Sequence, residues 1–163
     1  MKQPLLTLTL ISAIFFLPLT ITFASEQAPN VSLPTLQGKT VALGELKGQV
    51  VYVDFWATWC PPCRKSFPWM EQMHQRYKDL GLHIVAISLD QKRDIIDRFL
   101  KNHTASFTIL HDMEGSSAEA FKVRGMPSSY LIDRQGNLRL SHEGFNDADK
   151  SKLERKIKQL LSE

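Results

Sequence analysis

The sequence predicts an α/β fold in which helices flank a central mixed β-sheet. Two runs, residues 50–56 (VVYVDFW) and 83–89 (HIVAISL), are nearly continuous in β-branched and aromatic side chains, as strands covered on both faces require. Each is followed by apolar residues at helical spacing, so strand and helix alternate. A hairpin pattern and one more amphipathic helix then close the chain.

Taken in order, residues 31–46 hold two short apolar pieces, around 31–33 and 40–43, joined by Gln37-Gly38-Lys39, which predicts a small N-terminal hairpin. The polar residues 25–30 before it read as a short tether. After the 50–56 strand, Phe67, Met70, Met73, His74 and Tyr77 mark a helix that Gly81 stops. After the 83–89 strand, Ile95, Ile96, Phe99 and Leu100 share one face of a helix for which Asp90 is the expected N-cap. Residues 107–110 read as a short strand and 116–121 as a short helix. Residues 128–132 and 138–142 form a hairpin through Asp133-Arg134-Gln135-Gly136-Asn137. Leu153, Ile157, Leu160 and Leu161 stripe a C-terminal helix that begins near Asp147 or Asp149. Asp54, the one charge in the 50–56 run, is anomalous in a strand buried on both faces.

The length of 163 residues fits one globular domain, expected over residues 25–163. A net charge of +3 gives no reason to expect a nucleic-acid partner. With 43% apolar residues the chain can build a core, and two cysteines separated by two residues cannot staple a miniprotein. Residues 1–24 stand apart. Lys2 precedes an apolar run over residues 5–19, and Ala24 offers a cleavage point, the pattern of an export signal. The alternative is a retained membrane anchor, since about 20 apolar residues cross a bilayer. Either reading puts the globule outside the cytoplasm, in the periplasm or its equivalent. With no cysteine near the junction, lipidation is not expected.

The chemistry concentrates in Trp59-Cys60-Pro61-Pro62-Cys63, where a buried strand gives way to a helix. A thiolate at a helix N-terminus meets unpaired N–H groups and the positive end of the macrodipole. Such cysteines reach pKa values of about 3.5–7.5 against ~8.5 for a free thiol. Cys60, at the turn, gains most and reads as the nucleophile; Cys63, one turn in, reads as the resolving thiol. Pro61 and Pro62 stiffen the turn and supply no backbone donors, and no charge lies between the sulfurs, so a reducing to middling potential is expected. A structural zinc site needs four ligands, and there is no second cysteine pair. A copper chaperone using the pair with His142 or His111, and a disulfide donor running the same exchange backwards, stay open as alternatives. No metal and no cofactor is expected for the redox reading.

Asp54-Phe55-Trp56-Ala57-Thr58-Trp59-Cys60-Pro61-Pro62-Cys63 resembles the active-site strand and turn of the thioredoxin superfamily. Pro68 matches the proline within that family's active-site helix, and Gly125-Met126-Pro127-Ser128 resembles its cis-proline loop. With the N-terminal hairpin and the added helix-strand segment over residues 90–110, the chain is most similar to the extracytoplasmic TlpA/ResA-like thioredoxins. The resemblance implies a thioredoxin-like fold and a thiol:disulfide oxidoreductase acting on protein disulfides, re-reduced by a membrane-embedded thiol donor. It implies that Cys60 attacks, Cys63 resolves, and buried Asp54 exchanges protons with the resolving thiol. It also implies that cis Pro127 sets the Met126 backbone beside Cys60, and that Trp59, Pro61, Pro62 and Met126 meet the substrate. Trp59 is expected to cover the disulfide and Trp56 to serve as readily in the core. The chain departs from the TlpA/ResA group at Ser66, where Glu is common, and at Asp54, where Asn often stands, which argues against a role dedicated to cytochrome c maturation. A peroxiredoxin pattern would need Pro at 53 and Thr or Ser at 57, where Val53 and Ala57 stand.

Overall fold

The computed structural model describes residues 26–163, so the expected export segment at 1–24 lies outside the described residues. The elements run β1 (Ser32–Pro34), β2 (Thr40–Ala42), β3 (Val50–Trp56), α1 (Pro61–Tyr77), β4 (Leu82–Ser88), α2 (Arg93–Leu100), β5 (Thr108–His111), α3 (Ser116–Ala120), β6 (Ser128–Ile132), β7 (Leu138–Glu143) and α4 (Asp147–Leu161). The main sheet has the order β5-β4-β3-β6-β7. Strands β3, β4 and β5 are parallel, whereas β6 and β7 run antiparallel, so the sheet is mixed. The central place of β3 explains its mostly apolar composition: each of its seven residues is buried, and Asp54 is the one charged exception.

Alternation along β3 divides the interior in two. Tyr52 and Trp56 face α1, α2 and α4, packing with Met70, Ile96, Leu153 and Ile157. Val53 and Phe55 face the β1–β2 hairpin and α3, packing with Leu33, Phe121 and Tyr130. Trp56 is wholly buried and meets Phe67 edge-on at 4.4 Å, which places it in the core. Pro68 lies inside α1 on its exposed side, and its missing N–H removes one intrahelical hydrogen bond there. Gly81 ends the short 3-10 turn after α1 at φ +97°, a conformation that favours glycine.

Two local expectations are corrected. Residues 26–28 are no loose tether: Leu138 N–H donates to Glu26 O at 2.8 Å and Ala28 N–H to Gly136 O at 3.0 Å. The start of β7, an edge strand, offers free backbone groups that this segment takes up. Nor does Asp90 cap α2. That helix starts at Arg93 after Lys92, with no side-chain cap, because Asp90 is engaged elsewhere. Among the described residues no helix is long and apolar enough to cross a membrane.

Candidate active site

At the C-terminal end of β3 the chain leaves the sheet through Ala57-Thr58-Trp59 and enters α1 with Cys60 as its N-cap. The turn is closed by Cys60 N–H donating to Ala57 O at 3.1 Å. It is anchored from β4's end. Asp90, 2% exposed, accepts from Thr58 N–H at 2.9 Å and from the Thr58 hydroxyl at 2.8 Å. Ser88 Oγ also donates to Asp90, at 3.0 Å, and His111 Nε2 lies 2.7 Å from the Asp90 carbonyl oxygen. Sequence reading missed this clamp, since an aspartate just before a helical pattern looks like a cap.

Cys60 and Cys63 are joined as a disulfide with Cα atoms 5.3 Å apart. With Pro61 and Pro62 at the first two helical positions, the first N–H of α1 is that of Cys63, and it points at Cys60 Sγ from 3.3 Å. A thiolate on Cys60 therefore keeps one charge-assisted hydrogen bond from the helix terminus. Cys63 is fully buried and Cys60 nearly so. Ser66, on the inner face of α1, spends its hydroxyl on the Cys63 carbonyl at 2.8 Å.

Asp54 sits one turn of the pleat behind this end of β3, on the face that α1 covers and 1% exposed. Its neighbours in the sheet are Ala86 and Ser129. Burial holds its pKa well above the usual carboxylate value, and its Oδ2 has no hydrogen-bond partner. A carboxyl so placed holds a proton more readily than an exposed aspartate does, the property a proton acceptor for a buried thiol needs.

In the loop before β6, the Met126–Pro127 peptide bond is cis and Pro127 is buried. The loop is held by Ser128 Oγ donating to Gly125 O at 2.7 Å and by Gly144 N–H donating to Pro127 O at 2.8 Å. Met126 packs against the cluster that contains both cysteines. Trp59, 67% exposed, shares with Leu89, Val123, Gly125 and Met126 the walls of an open cleft of about 400 Å³. Its indole thus stands at the cleft mouth, largely in solvent. A larger cavity, about 510 Å³, lies between the β2 end and the turn after β6; neither cysteine lines it or the Trp59 cleft. Among the described residues no three metal-binding side chains gather, so neither His111 nor His142 joins the cysteine pair in such a cluster.

Comparison with known proteins agrees with this geometry. Residues 24–141 match the AhpC/TSA family. The chain is 32% identical over 135 residues to thiol-disulfide oxidoreductase ResA of Bacillus thuringiensis subsp. konkukian (strain 97-27), covering 83% of this chain and 77% of the relative. It is also 32% identical over 130 residues to ResA of Bacillus subtilis (strain 168), covering 80% and 72%. Among solved structures, a Chlorobium tepidum protein assigned as a thiol:disulfide interchange protein DsbE superposes with a TM-score of 0.82 at 46% identity, covering 84% of this chain and 96% of that one.

Proposed function

The chain belongs to the AhpC/TSA family and is a thiol:disulfide oxidoreductase of thioredoxin fold, and from that premise we propose that it works as an exported reductase of protein disulfides. The observation that carries this reading is the Cys60–Cys63 disulfide at the N-terminus of α1, with Asp54 buried in the strand that leads to it and a cis Met126–Pro127 bond in the loop whose Met126 packs against the same cluster. The Cys60 thiolate attacks a substrate disulfide, forming a mixed disulfide and releasing one substrate thiolate. Cys63 gives its proton to the Asp54 carboxylate and attacks Cys60 Sγ; the bond from Cys60 to the substrate breaks and the second substrate sulfur leaves as a thiolate, which takes a proton from solvent. Two electrons pass from the dithiol to the substrate. Peroxidase chemistry finds no support, since Val53 and Ala57 supply neither the proline nor the hydroxyl that a peroxidatic cysteine uses.

The direction rests on the helix terminus. A strong oxidant stabilises its reduced, thiolate form, and here Pro61 and Pro62 withdraw two N–H donors, leaving one on Cys60. Trp59 and Met126 at the cleft, with Pro61 and Pro62, form the rim that a substrate chain meets. Export rests on residues 1–24, whose charged start and apolar run match a signal or anchor. In an oxidising compartment the reductant draws electrons from a membrane-embedded thiol donor. The test is insulin-disulfide reduction: Cys60→Ser abolishes it and Cys63→Ser accumulates mixed disulfides. Full activity of Cys60→Ser would overturn the reading. Alkylation trapping in cells finds the pair mostly reduced, and a fully oxidised pool would instead make the protein a disulfide donor.

A further inference from the structure

Asp54 and Cys63 are both buried, so a proton passed between them has no direct way to water. The sheet provides one. Asp54 on β3 lies opposite Ser129 on β6, and Ser129 lies opposite His142 on β7, which puts the three side chains on one face of the sheet. With strands about 4.8 Å apart, this row spans roughly 10 Å. It ends at α4, where His142 Nε2 lies 3.4 Å from Asp149 Oδ1 and its side chain is 14% exposed. The other oxygen of Asp149 accepts the Asn146 N–H at 2.8 Å in the capping box of α4, which fixes the carboxylate against the imidazole. Tyr52 joins the row from β3: its phenol is fully buried, and Asp54 and Asp149 both act on it electrostatically. Ser129 lies close enough to act on the phenol, yet no hydrogen bond of normal geometry satisfies Tyr52 Oη. Among the described residues, three of the five buried polar atoms without a hydrogen-bond partner, Tyr52 Oη, Asp54 Oδ2 and His142 Nε2, belong to this row. Buried polar atoms are rarely left so, and their concentration in one line marks a polar path through an apolar interior.

We propose that this row is the proton exit of the active site, with His142, held by Asp149, exchanging with solvent the proton that Asp54 takes from Cys63. The inference rests on the reading that Asp54 accepts that proton. During resolution Cys63 loses a proton to Asp54 as its sulfur bonds to Cys60. The proton then moves along the Tyr52 and Ser129 hydroxyls to His142 and on to water, returning Asp54 to its carboxylate. Re-reduction of the disulfide runs the same transfer inward. An imidazole suits the mouth because it accepts a proton on one nitrogen while releasing one from the other. The titratable groups facing the row are Tyr52 and Asp54 from β3, Cys63 from α1 and Asp149 from α4. Lys65 and Lys150 act on Asp147 at the same end of α4, and Glu143, next on β7, lies on the opposite face.

The test measures the rate at which Cys63 resolves a mixed disulfide preformed on Cys60, in dilute buffer across the neutral pH range. His142→Gln and, as a smaller change, Ser129→Ala each slow resolution about tenfold, a modest part of the ~10²–10⁴ that a positioned acid–base group contributes. Added imidazole restores the rate in His142→Ala. In the Asp54→Asn background His142→Gln has no further effect, because both act on one proton. If Asp54→Asn itself leaves resolution unchanged, the reading of Asp54 fails and this inference with it. If Asp54→Asn slows resolution but His142→Gln and Ser129→Ala do not, or His142→Gln slows it equally in both backgrounds, only the proton exit is overturned.

Discussion

Thr58 gives its backbone N–H to one oxygen of the buried Asp90 carboxylate, at 2.9 Å, and its hydroxyl to the other, at 2.8 Å. The turn that delivers Cys60 to the helix terminus is therefore pinned from a neighbouring strand. Asp90→Ala leaves the Thr58 N–H and the Ser88 hydroxyl without their acceptor, and each buried donor so stranded costs about 1–3 kcal/mol. The variant is expected to lose roughly 2–4 kcal/mol in urea unfolding and to reduce insulin more slowly. Thr58→Ser keeps both bonds and stays close to wild type, whereas Thr58→Val loses about 1 kcal/mol. An Asp90→Ala protein as stable as wild type would show that the clamp is incidental.

Asp54 has the opposite effect on stability. Burial raises its folded-state pKa above the ordinary value of 3.8, so the folded protein binds this proton more tightly than the unfolded chain. Its contribution is intact below the unfolded pKa, declines as pH rises from there, and is lost above the folded pKa. Asp54→Asn should thus raise the melting temperature at neutral and alkaline pH and change it little near pH 3. A tenfold difference in proton affinity is about 1.4 kcal/mol, or roughly 5 °C for a domain of this size. Thermal unfolding of both proteins across this pH range checks the sign, and a melting-temperature gain that is largest in acid would contradict it.

Much of the scaffold was legible because β3 and β4 are buried on both faces and must be apolar nearly throughout. The same purity made Asp54 stand out. Cys60 and Cys63 were legible for a different reason: a strand-to-helix turn places the first free N–H of α1 on the sulfur whatever the rest of the chain does. Asp90 was misread because its partner, Thr58, lies 32 positions away and is brought near only by the parallel pairing of β3 with β4. His142 carried no local signal beyond being a histidine. Its place opposite Ser129 depends on the β6–β7 register, including the irregularity near Leu131 and Ile132, which a hairpin pattern does not specify.

The two prolines of the cysteine turn offer a direct handle on the thiolate. Pro62→Ala adds an N–H at the second helical position, one of the two places from which an N-cap side chain is normally served. A hydrogen bond to a charged group is worth about 1.5–3 kcal/mol, so the midpoint of the Cys60 alkylation profile should fall by about one pH unit. The thiolate form being favoured, the redox potential should rise by about 30 mV or more against glutathione. A potential that falls, or an unchanged alkylation profile, would mean that the helix terminus does not govern Cys60.

Trp59 separates binding from folding. Its indole is 67% exposed, so Trp59→Ala removes little packing and should leave stability within about 0.5 kcal/mol of wild type. As a wall of the cleft with Met126 and Gly125, however, it offers a large rigid surface one residue before Cys60 in the chain. If a polypeptide substrate lies there, the variant should show a KM about tenfold higher for a folded or peptide disulfide, corresponding to ~1.4 kcal/mol of lost contact. The kcat should hold, because the Cys60, Cys63 and Asp54 geometry is untouched. A small disulfide such as oxidised glutathione reaches the sulfur without spanning the cleft, and its kcat/KM should change little. Equal losses for both substrates would place Trp59 in the support of the cysteine turn and not in recognition of the substrate chain.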